Sequence, residues 1–449
     1  MSPINIIQQY SASYASAVTN FFAWYNSIGR IILDFLHIIF ENTFNVLLIV
    51  AVIFSVLYFL MALYAMFNKP KKSKEMERDA ELPFVTVQIP TFNELAAIRC
   101  AESCLKFDYP KDKYEIIIGD DSNKPEISEI LAEYAQKHEL IKITKRKTNE
   151  GFKPGNLNHM LNHSRGEILV IFDSDFVPEK DFLSRIVAPF MRDGNIAGVQ
   201  ARWKLMNPGQ NTVTSLGASI LYTCHYVTLP FMFNQKKISF LCGSAEAVRK
   251  STLIELGGWE SGNLTEDIEF SLRILEKGYR IEYIDNLECD SEVPYTLKDL
   301  YRQQMRWAYG VIYSWKNHFI SILKSKSIGF MDKLCMVIFL SGYFIATLLA
   351  ALFITGTLSF ITNAPAPIEW GKFGYELGRN ILLTSGLLVA GCVSLVKARK
   401  SKMTLRMIVS SFSYGLVVTY YVNVGIIKAI AKVPMEWYML NKQGNKLSD

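Results

Sequence analysis

Three acidic clusters and one aromatic–cationic motif occur in a fixed order along the chain. They are Asp120-Asp121, Asp173-Ser174-Asp175, Thr265-Glu266-Asp267 and Gln303-x-x-Arg306-Trp307. Asp173 and Asp175 are two residues apart, and in an extended segment such residues point the same way. Mg²⁺ or Mn²⁺ is commonly held by one or two carboxylates completed by substrate phosphates. An ion there would neutralise a departing diphosphate as a Lewis acid. Asp267 is placed to act as a general base, and displacement with direct loss of a nucleotide inverts the attacked carbon and needs only one base. Arg306 offers paired hydrogen bonds to a diphosphate. Trp307 offers a flat apolar face for a ring, and Gln303 a hydrogen bond to a hydroxyl.

Each motif also has a plainer reading. The Asp173-Ser174-Asp175 run could be a solvated turn. Thr265 followed by two acids is good capping chemistry for a helix start. Trp and Arg are favoured on interfacial helices whatever their chemistry. Asp120-Asp121-Ser122-Asn123 consists of ordinary turn residues, although a carboxylate there can accept hydrogen bonds from a base or ribose. Thr91-Phe92-Asn93-Glu94 carries the same two readings. Lys153 lies in the glycine-bearing run Gly151-Phe152-Lys153-Pro154-Gly155-Asn156 and can reach a phosphate or simply face water.

The elements that must position these groups are legible between residues 82 and 315. Phe84–Ile89, Glu115–Gly119 and Ile168–Phe172 read as buried strands, ending at Pro90, Asp120 and Asp173. Strands alternating with helical stretches imply an α/β domain with a mainly parallel sheet. Ligands of such sheets bind beyond the carboxyl ends of the strands, where the acidic groups follow. Gly257-Gly258-Trp259 reads as a turn and 267–276 as a helix.

Half of the 449 residues are apolar and only 20% are charged, a balance that suits a part-soluble, part-membrane protein. The seven cysteines lack CxxC spacing, which argues against a disulfide framework or a zinc site and fits reduced thiols. His159 and His163 are four apart but have no third ligand, so they read as ordinary helix residues. Basic runs at 69–74 and 397–402 flank apolar spans, which marks a cytoplasmic membrane edge and not a nucleic-acid surface.

Residues 44–67 are apolar enough to cross a hydrocarbon core of about 30 Å. Residues 1–43 form an N-terminal segment whose part from 21 to 40, broken by Arg30, Asp34 and His37, reads as an interfacial amphipathic helix or a weaker second span. The 82–315 domain is followed by an interfacial helix at 316–330. A membrane region at 331–430 comes next, with spans near 332–361, 379–396 and 406–428, and then a tail at 431–449. Asn363-Ala364-Pro365-Ala366-Pro367 is expected as an outer loop. Three spans place the tail outside, whereas Lys428, Lys432, Lys442 and Lys446 favour inside. A re-entrant last segment, or one span more or fewer, would resolve this conflict.

Taken together the motifs resemble the processive inverting family-2 glycosyltransferases, in which D, DxD, TED and QxxRW recur. Here they stand as Asp121, Asp173-x-Asp175, Thr265-Glu266-Asp267 and Gln303-x-x-Arg306-Trp307. Gln200-Ala201-Arg202-Trp203 followed by Asn207, and Asp285-Asn286-Leu287-Glu288-Cys289, resemble the glucomannan and xyloglucan-backbone synthases. Leu241-Cys242-Gly243-Ser244 resembles the acceptor-end segment of cellulose and chitin synthases.

The resemblance implies a GT-A fold flanked by membrane helices. The donor would be a UDP- or GDP-hexose and the ion Mg²⁺ or Mn²⁺. The acceptor would be a growing polysaccharide, with a membrane lipid as the alternative. Thr91, Glu94, Asp120, Asp121, Lys153, Asp173 and Arg306 would face the donor. Asp173 and Asp175 would hold the metal, and Thr265, Glu266 and Asp267 would form the catalytic segment with Asp267 as base. Gln303, Trp307, Cys242, Gly243 and Ser244 would face the acceptor. The resemblance implies no nucleic-acid partner and leaves an oligomer open. Two family features are not found, a C-terminal RxxxR segment and a gating-loop motif after Trp307. Regulation by a cyclic-dinucleotide domain is therefore not expected.

Overall fold

The structure is a computed structural model that describes residues 3–69, 81–364, 366–436 and 438–443, with side chains from Tyr10 onward. Most of the 69–74 basic run, Pro365 and Lys446 lie outside the described residues. The chain divides into two compact units, Met1–Val56 with Ile345–Ser385, and Leu57–Phe344 with Gly386–Asp449.

The second unit contains one eight-stranded sheet. Its strands are β1 Val85–Thr91, β2 Tyr114–Asp120, β3 Ile141–Lys145, β4 Ile168–Ile171, β5 Val177–Pro178, β6 Ile196–Leu205, β7 Glu246–Arg249 and β8 Arg280–Ser291. They lie in the order β3-β2-β1-β4-β7-β6-β8-β5. The β1/β2, β2/β3, β1/β4 and β6/β8 pairs are parallel. β7 runs antiparallel to both β4 and β6, and β5 is antiparallel to β8, so the sheet is mixed. The Val/Ile-rich strands β1, β2 and β4 are buried throughout, as expected of strands covered by helices on both faces.

β1 does not stop at Pro90 but continues to Thr91, pairing with Asp120 of β2. The proline is tolerated because β4 pairs with β1 only as far as Gln88, so no ladder bond is needed on that side.

The Gln303-x-x-Arg306-Trp307 motif sits on a long helix, Leu297–Lys324, which Thr296 caps through a 3.1 Å bond from Asp299 N. That helix runs on without a break into the stretch expected as a separate 316–330 element and ends at Lys324, and the next helix is Phe330–Leu340. Its close approach to the Thr265 segment depends on Gly310. A Cβ there would lie 2.5 Å from both Thr265 Cγ2 and Oγ1. Gly425, on the Tyr414–Ile430 helix, faces the same helix, and a Cβ there would lie 2.4 Å from Met305 O.

Among the described residues three helical stretches are long and apolar enough to cross a membrane: Tyr10–Phe67, Thr212–Lys236 and Phe330–Thr362. Most of the second is buried inside the protein, whereas the other two are largely uncovered. Two broken pairs, Trp370–Thr384 with Gly386–Lys397 and Ser401–Phe412 with Tyr414–Ile430, reach the same length if each is one span. The Ser401–Ile430 pair is bent by 58°.

No break separates residues 1–43 from 44–67: helix runs from Pro3 to Phe67 through a π-turn at Tyr25–Gly29. The charges at Arg30, Asp34 and His37 are accommodated by i,i+4 pairs, Arg30 with Asp34 and His37 with Glu41. In the first unit His37 Nδ1 also lies 2.9 Å from Ser359 O.

Gly310→Ala should drive the Leu297–Lys324 helix off the Thr265 segment at an overpacking cost of about 1–3 kcal/mol. The expected result is a lower melting temperature and reduced activity, measured on purified protein.

Candidate active site

The carboxyl ends of β1, β2 and β4 open onto one cleft in the second unit, which the Thr265-Glu266-Asp267 segment and the Leu297–Lys324 helix also line. Thr91, Glu94, Asp121, Lys153, Asp173, Asp175, Cys242, Gly243, Thr265, Glu266, Asp267, Gln303, Arg306 and Trp307 all line it. Asp120 and Ser244 do not. Asp120 is buried and accepts from Ser122 N at 2.9 Å and from Ser128 Oγ, with Lys145 Nζ 3.4 Å away. Ser244 lies beneath the acidic turn, where its hydroxyl accepts from Asp173 N at 2.8 Å. Both residues therefore support the cleft from behind. Alternation explains Asp120: it is the last residue of β2, and neighbours in sequence face opposite ways.

At the β2 end, Asp121 is gripped by Arg146. Nε donates to Oδ1 at 2.9 Å, and Nη2 donates to Oδ2. Burial nonetheless raises the Asp121 pKa against the pull of Arg146. At the β1 end, Glu94 is buried and accepts from Ser174 Oγ and, at 3.0 Å, from Lys442 Nζ. Burial raises its pKa, and Lys442 opposes the shift.

Asp173 and Asp175 reach the cleft from a turn and not from an extended segment. β4 ends at Ile171, and Phe176 N bonds back to Asp173 O at 3.1 Å. The two carboxylates are therefore aimed by turn geometry, and each meets its own ammonium group. Asp173 Oδ1 is 2.8 Å from Lys153 Nζ, and Asp175 Oδ1 is 2.7 Å from Lys442 Nζ. Burial disfavours the charge on Asp173, but Lys153 and Lys442 hold its pKa below the usual value.

Among the described residues no group of three His, Cys, Asp or Glu side chains is arranged to hold a metal. Two carboxylates lining one cleft do fit a hard divalent cation whose shell is completed by phosphates and water. The two lysine ammonium groups on these carboxylates mark where positive charge is stabilised. Asp173 and Asp175 are the residues that would hold such an ion, and it would supply charge neutralisation to a leaving diphosphate.

Asp267 sits in the first turn of the Glu266–Glu276 helix. Thr265 precedes the helix but makes no side-chain cap, and its buried Oγ1 has no partner. Its capping chemistry is thus unused, and its backbone N donates instead to Asn263 Oδ1 at 2.9 Å. Asp267 is raised to about 7, chiefly by burial and next by the charge of Glu266. Lys153 and the backbone N–H groups of Ile268 and Asp267 pull it down.

Lys153 is the hub of this region. It reaches Glu266 Oε1 at 3.0 Å and donates to Gly243 O as well as to Asp173. Burial opposes its charge, yet Asp173, Glu266 and Glu246 raise its pKa far above the usual lysine value. Gly243, at φ 83°, lets the backbone pass beside Asp267; a Cβ there would lie 3.2 Å from Asp267 Oδ2. Glu246 fixes that loop by accepting from Cys242 N at 3.0 Å and Gly243 N at 2.7 Å.

The far end of the cleft is aromatic. Trp307 lies 6.4 Å from Trp203 at 59°. Trp203 is backed by His225, stacked at 5.0 Å, and its Nε1 donates to Ser244 O at 2.9 Å. Arg306 anchors the long helix by donating to Leu264 O at 3.1 Å, and the buried Gln303 Oε1 has no partner.

Motif reading did not mark Trp203 as a cleft residue, nor Glu292, nor the tail residues Tyr438, Asn441 and Lys442, all of which line the cleft. The Trp203 run was visible in sequence but carried no role. Lys442 stood only as one of several C-terminal lysines.

A carboxylate with a raised folded pKa costs stability as pH rises. The folded state is most favoured below the unfolded pKa, near 4, and the advantage is gone once pH passes the folded value of about 7. Asp267→Asn should therefore raise the melting temperature, and by more at pH 8 than at pH 5, as measured by thermal denaturation.

Residues 83–310 match the family described as glycosyltransferase like family 2. Glucomannan 4-beta-mannosyltransferase 7 of Arabidopsis thaliana is 30% identical over 322 residues, covering 66% of this chain and 57% of that protein. The probable glycosyltransferase YdaM of Bacillus subtilis is 30% identical over 246 residues, covering 54% of this chain and 58% of that protein. The chain thus spans little more than half the length of these relatives. Among solved structures, mannosyltransferase PcManGT from Pyrobaculum calidifontis, in complex with GDP-Man and Mn²⁺, superposes with a TM-score of 0.59. That match has 18% identity and covers 88% of this chain and 99% of the other, so the likeness is one of fold. With the family match covering half its length and a GT-A-like sheet beneath the acidic cleft, the chain belongs to glycosyltransferase family 2.

Proposed function

We propose that the protein is a membrane-bound inverting glycosyltransferase that extends a β-linked polysaccharide from a nucleotide-diphosphate hexose. The carrying observation is one buried carboxylate, Asp267, that shares a single cleft with the Asp173/Asp175 pair and the Trp307/Trp203 corner. In this reading Asp121, Thr91 and Lys153 face the donor, and Asp173 and Asp175 would hold Mg²⁺ or Mn²⁺, which would neutralise charge on the leaving diphosphate. Trp307 stacks on the acceptor sugar. Asp267 takes the proton from the acceptor hydroxyl as its oxygen attacks the anomeric carbon and the nucleoside diphosphate leaves from the opposite face. Burial keeps water from competing, and a base near neutrality can both accept and release a proton at working pH.

Three observations support a finer reading, in which the donor is GDP-mannose and the product a β-1,4-mannan or glucomannan. The Arabidopsis thaliana relatives are named glucomannan 4-beta-mannosyltransferases, the GT-A neighbour is a mannosyltransferase with GDP-Man, and the cleft has an aromatic end suited to stacked pyranose rings. The tail returns beside the cleft, so the catalytic face and residues 438–443 share one side of the membrane in this reading. The positive-inside pattern makes that side the cytoplasm.

A donor panel on purified protein with Mn²⁺ or Mg²⁺ tests the reading, with products sized by gel and mass spectrometry. GDP-mannose should give a high-mass polymer. A short glycolipid from any donor would reassign the protein as a lipid glycosyltransferase. Asp267→Asn should lower transfer by about 10²–10⁴-fold while leaving donor binding intact. In the wild type, kcat/KM should fall as pH drops through about 7, because Asp267 must be ionised to act.

A further inference from the structure

The tail is fastened across the cleft at several points. Lys442 Nζ lies 2.7 Å from Asp175 Oδ1, 3.0 Å from Glu94 Oε2 and 3.0 Å from Ser174 Oγ. On one side of it Asn441 Nδ2 donates to Asp299 Oδ2 at 3.0 Å, and on the other Gln443 N donates to Glu292 Oε2 at 2.7 Å. Glu292 is itself fixed by Arg99 at 2.7 Å and donates its own N to Asp175 Oδ2 at 3.2 Å. Arg302 lies over the Tyr438 ring at 4.7 Å. The strap is therefore docked as a unit, and its lysine touches one of the two carboxylates assigned to the metal.

We propose that this strap and a divalent cation exclude each other at Asp175, so that metal entry requires the Lys442 ammonium to leave and residues 438–443 to lift. The inference rests on the reading of Asp173 and Asp175 as cation ligands. An ion the size of Mg²⁺ binds carboxylate oxygen at about 2.0–2.1 Å. An ammonium 2.7 Å from the same oxygen would then be within a few ångströms of a double positive charge, in a cleft where screening is weak. The two lysines differ in what they keep. Lys153 retains Glu266 and Gly243 O when an ion takes Asp173. Lys442 is bound by Asp175, Glu94 and Ser174, and Ser174 stands between the two carboxylates in the same turn. Its release frees the strap at its central contact.

The test is a Mn²⁺ titration of the full-length protein in detergent without nucleotide, with free Mn²⁺ read by its paramagnetic resonance signal. Lys442→Gln should bind Mn²⁺ about tenfold more tightly, the scale of one charge-assisted hydrogen bond. Asn441→Ala, which loosens the strap without touching a carboxylate on the ion, should tighten binding by a smaller factor. In the wild type, saturating Mn²⁺ should speed amide hydrogen exchange in 438–443. Unchanged Mn²⁺ affinity in both variants, or unchanged exchange at saturation, would overturn the proposal. Mn²⁺ binding that survives combined Asp173→Asn and Asp175→Asn would overturn the reading of those carboxylates as ligands, whatever the strap does.

Discussion

The structure is organised around the cost of gathering acids in a closed cleft. Glu94, Asp121, Asp173, Asp175, Glu266 and Asp267 converge on one cleft, four of them buried, and the buried Glu246 lies behind its Gly243 wall. Buried carboxylates repel one another and lose hydration, so they persist only with compensating positive charge. Lys153, Lys442, Arg146 and Arg306 supply it, each arriving from a different segment. Where compensation is strong, as at Asp173, the acid is held ionised. Where burial wins, as at Asp267, its pKa is moved toward neutrality. One environment thus separates acids suited to holding a cation from one suited to moving a proton.

The fold follows from that demand. Parallel strands bring their carboxyl ends to one edge, so β1, β2 and β4 can each deliver acids to the same place. Asp267 comes from a helix start, whose free N–H groups steady a carboxylate that burial alone would neutralise further. Close backbone approach sets the remaining distances. Gly243 passes beside Asp267, and Gly310 seats the Leu297–Lys324 helix on Thr265. That helix carries Arg306 and Trp307 at one end of the cleft and packs against the Tyr414–Ile430 helix through Gly425. The aromatic end of the cleft is therefore built directly onto the Tyr414–Ile430 helix of the second unit.

Much of this was legible in the residues. The strand pattern, the position of each acid after a strand and the run from Asp121 to Trp307 led to a GT-A glycosyltransferase of family 2, and the fold and family comparisons agree. The departures are local and have physical causes. β1 continues through Pro90 because its β4 neighbour has already ended. Asp173 and Asp175 converge through a turn, which a period-of-two argument does not describe. Asp120 and Ser244 carry the right chemistry beside the site, but one faces Lys145 and the other supports a backbone amide.

Sequence alone determined which residue types were available, where strands gave way to acidic turns and which stretches were apolar enough for a membrane. Those features depend on neighbours in the chain, through side-chain periodicity and local backbone preference. Only the tertiary structure decided which acid of Asp120-Asp121 faces the cleft, that Thr265 leaves its capping role unused, and that Trp203 backs Trp307. It alone brought Lys442 to Asp175 across more than half the chain. Such pairings are set by which distant groups share one buried volume and whether their charges balance there, and no local pattern encodes that.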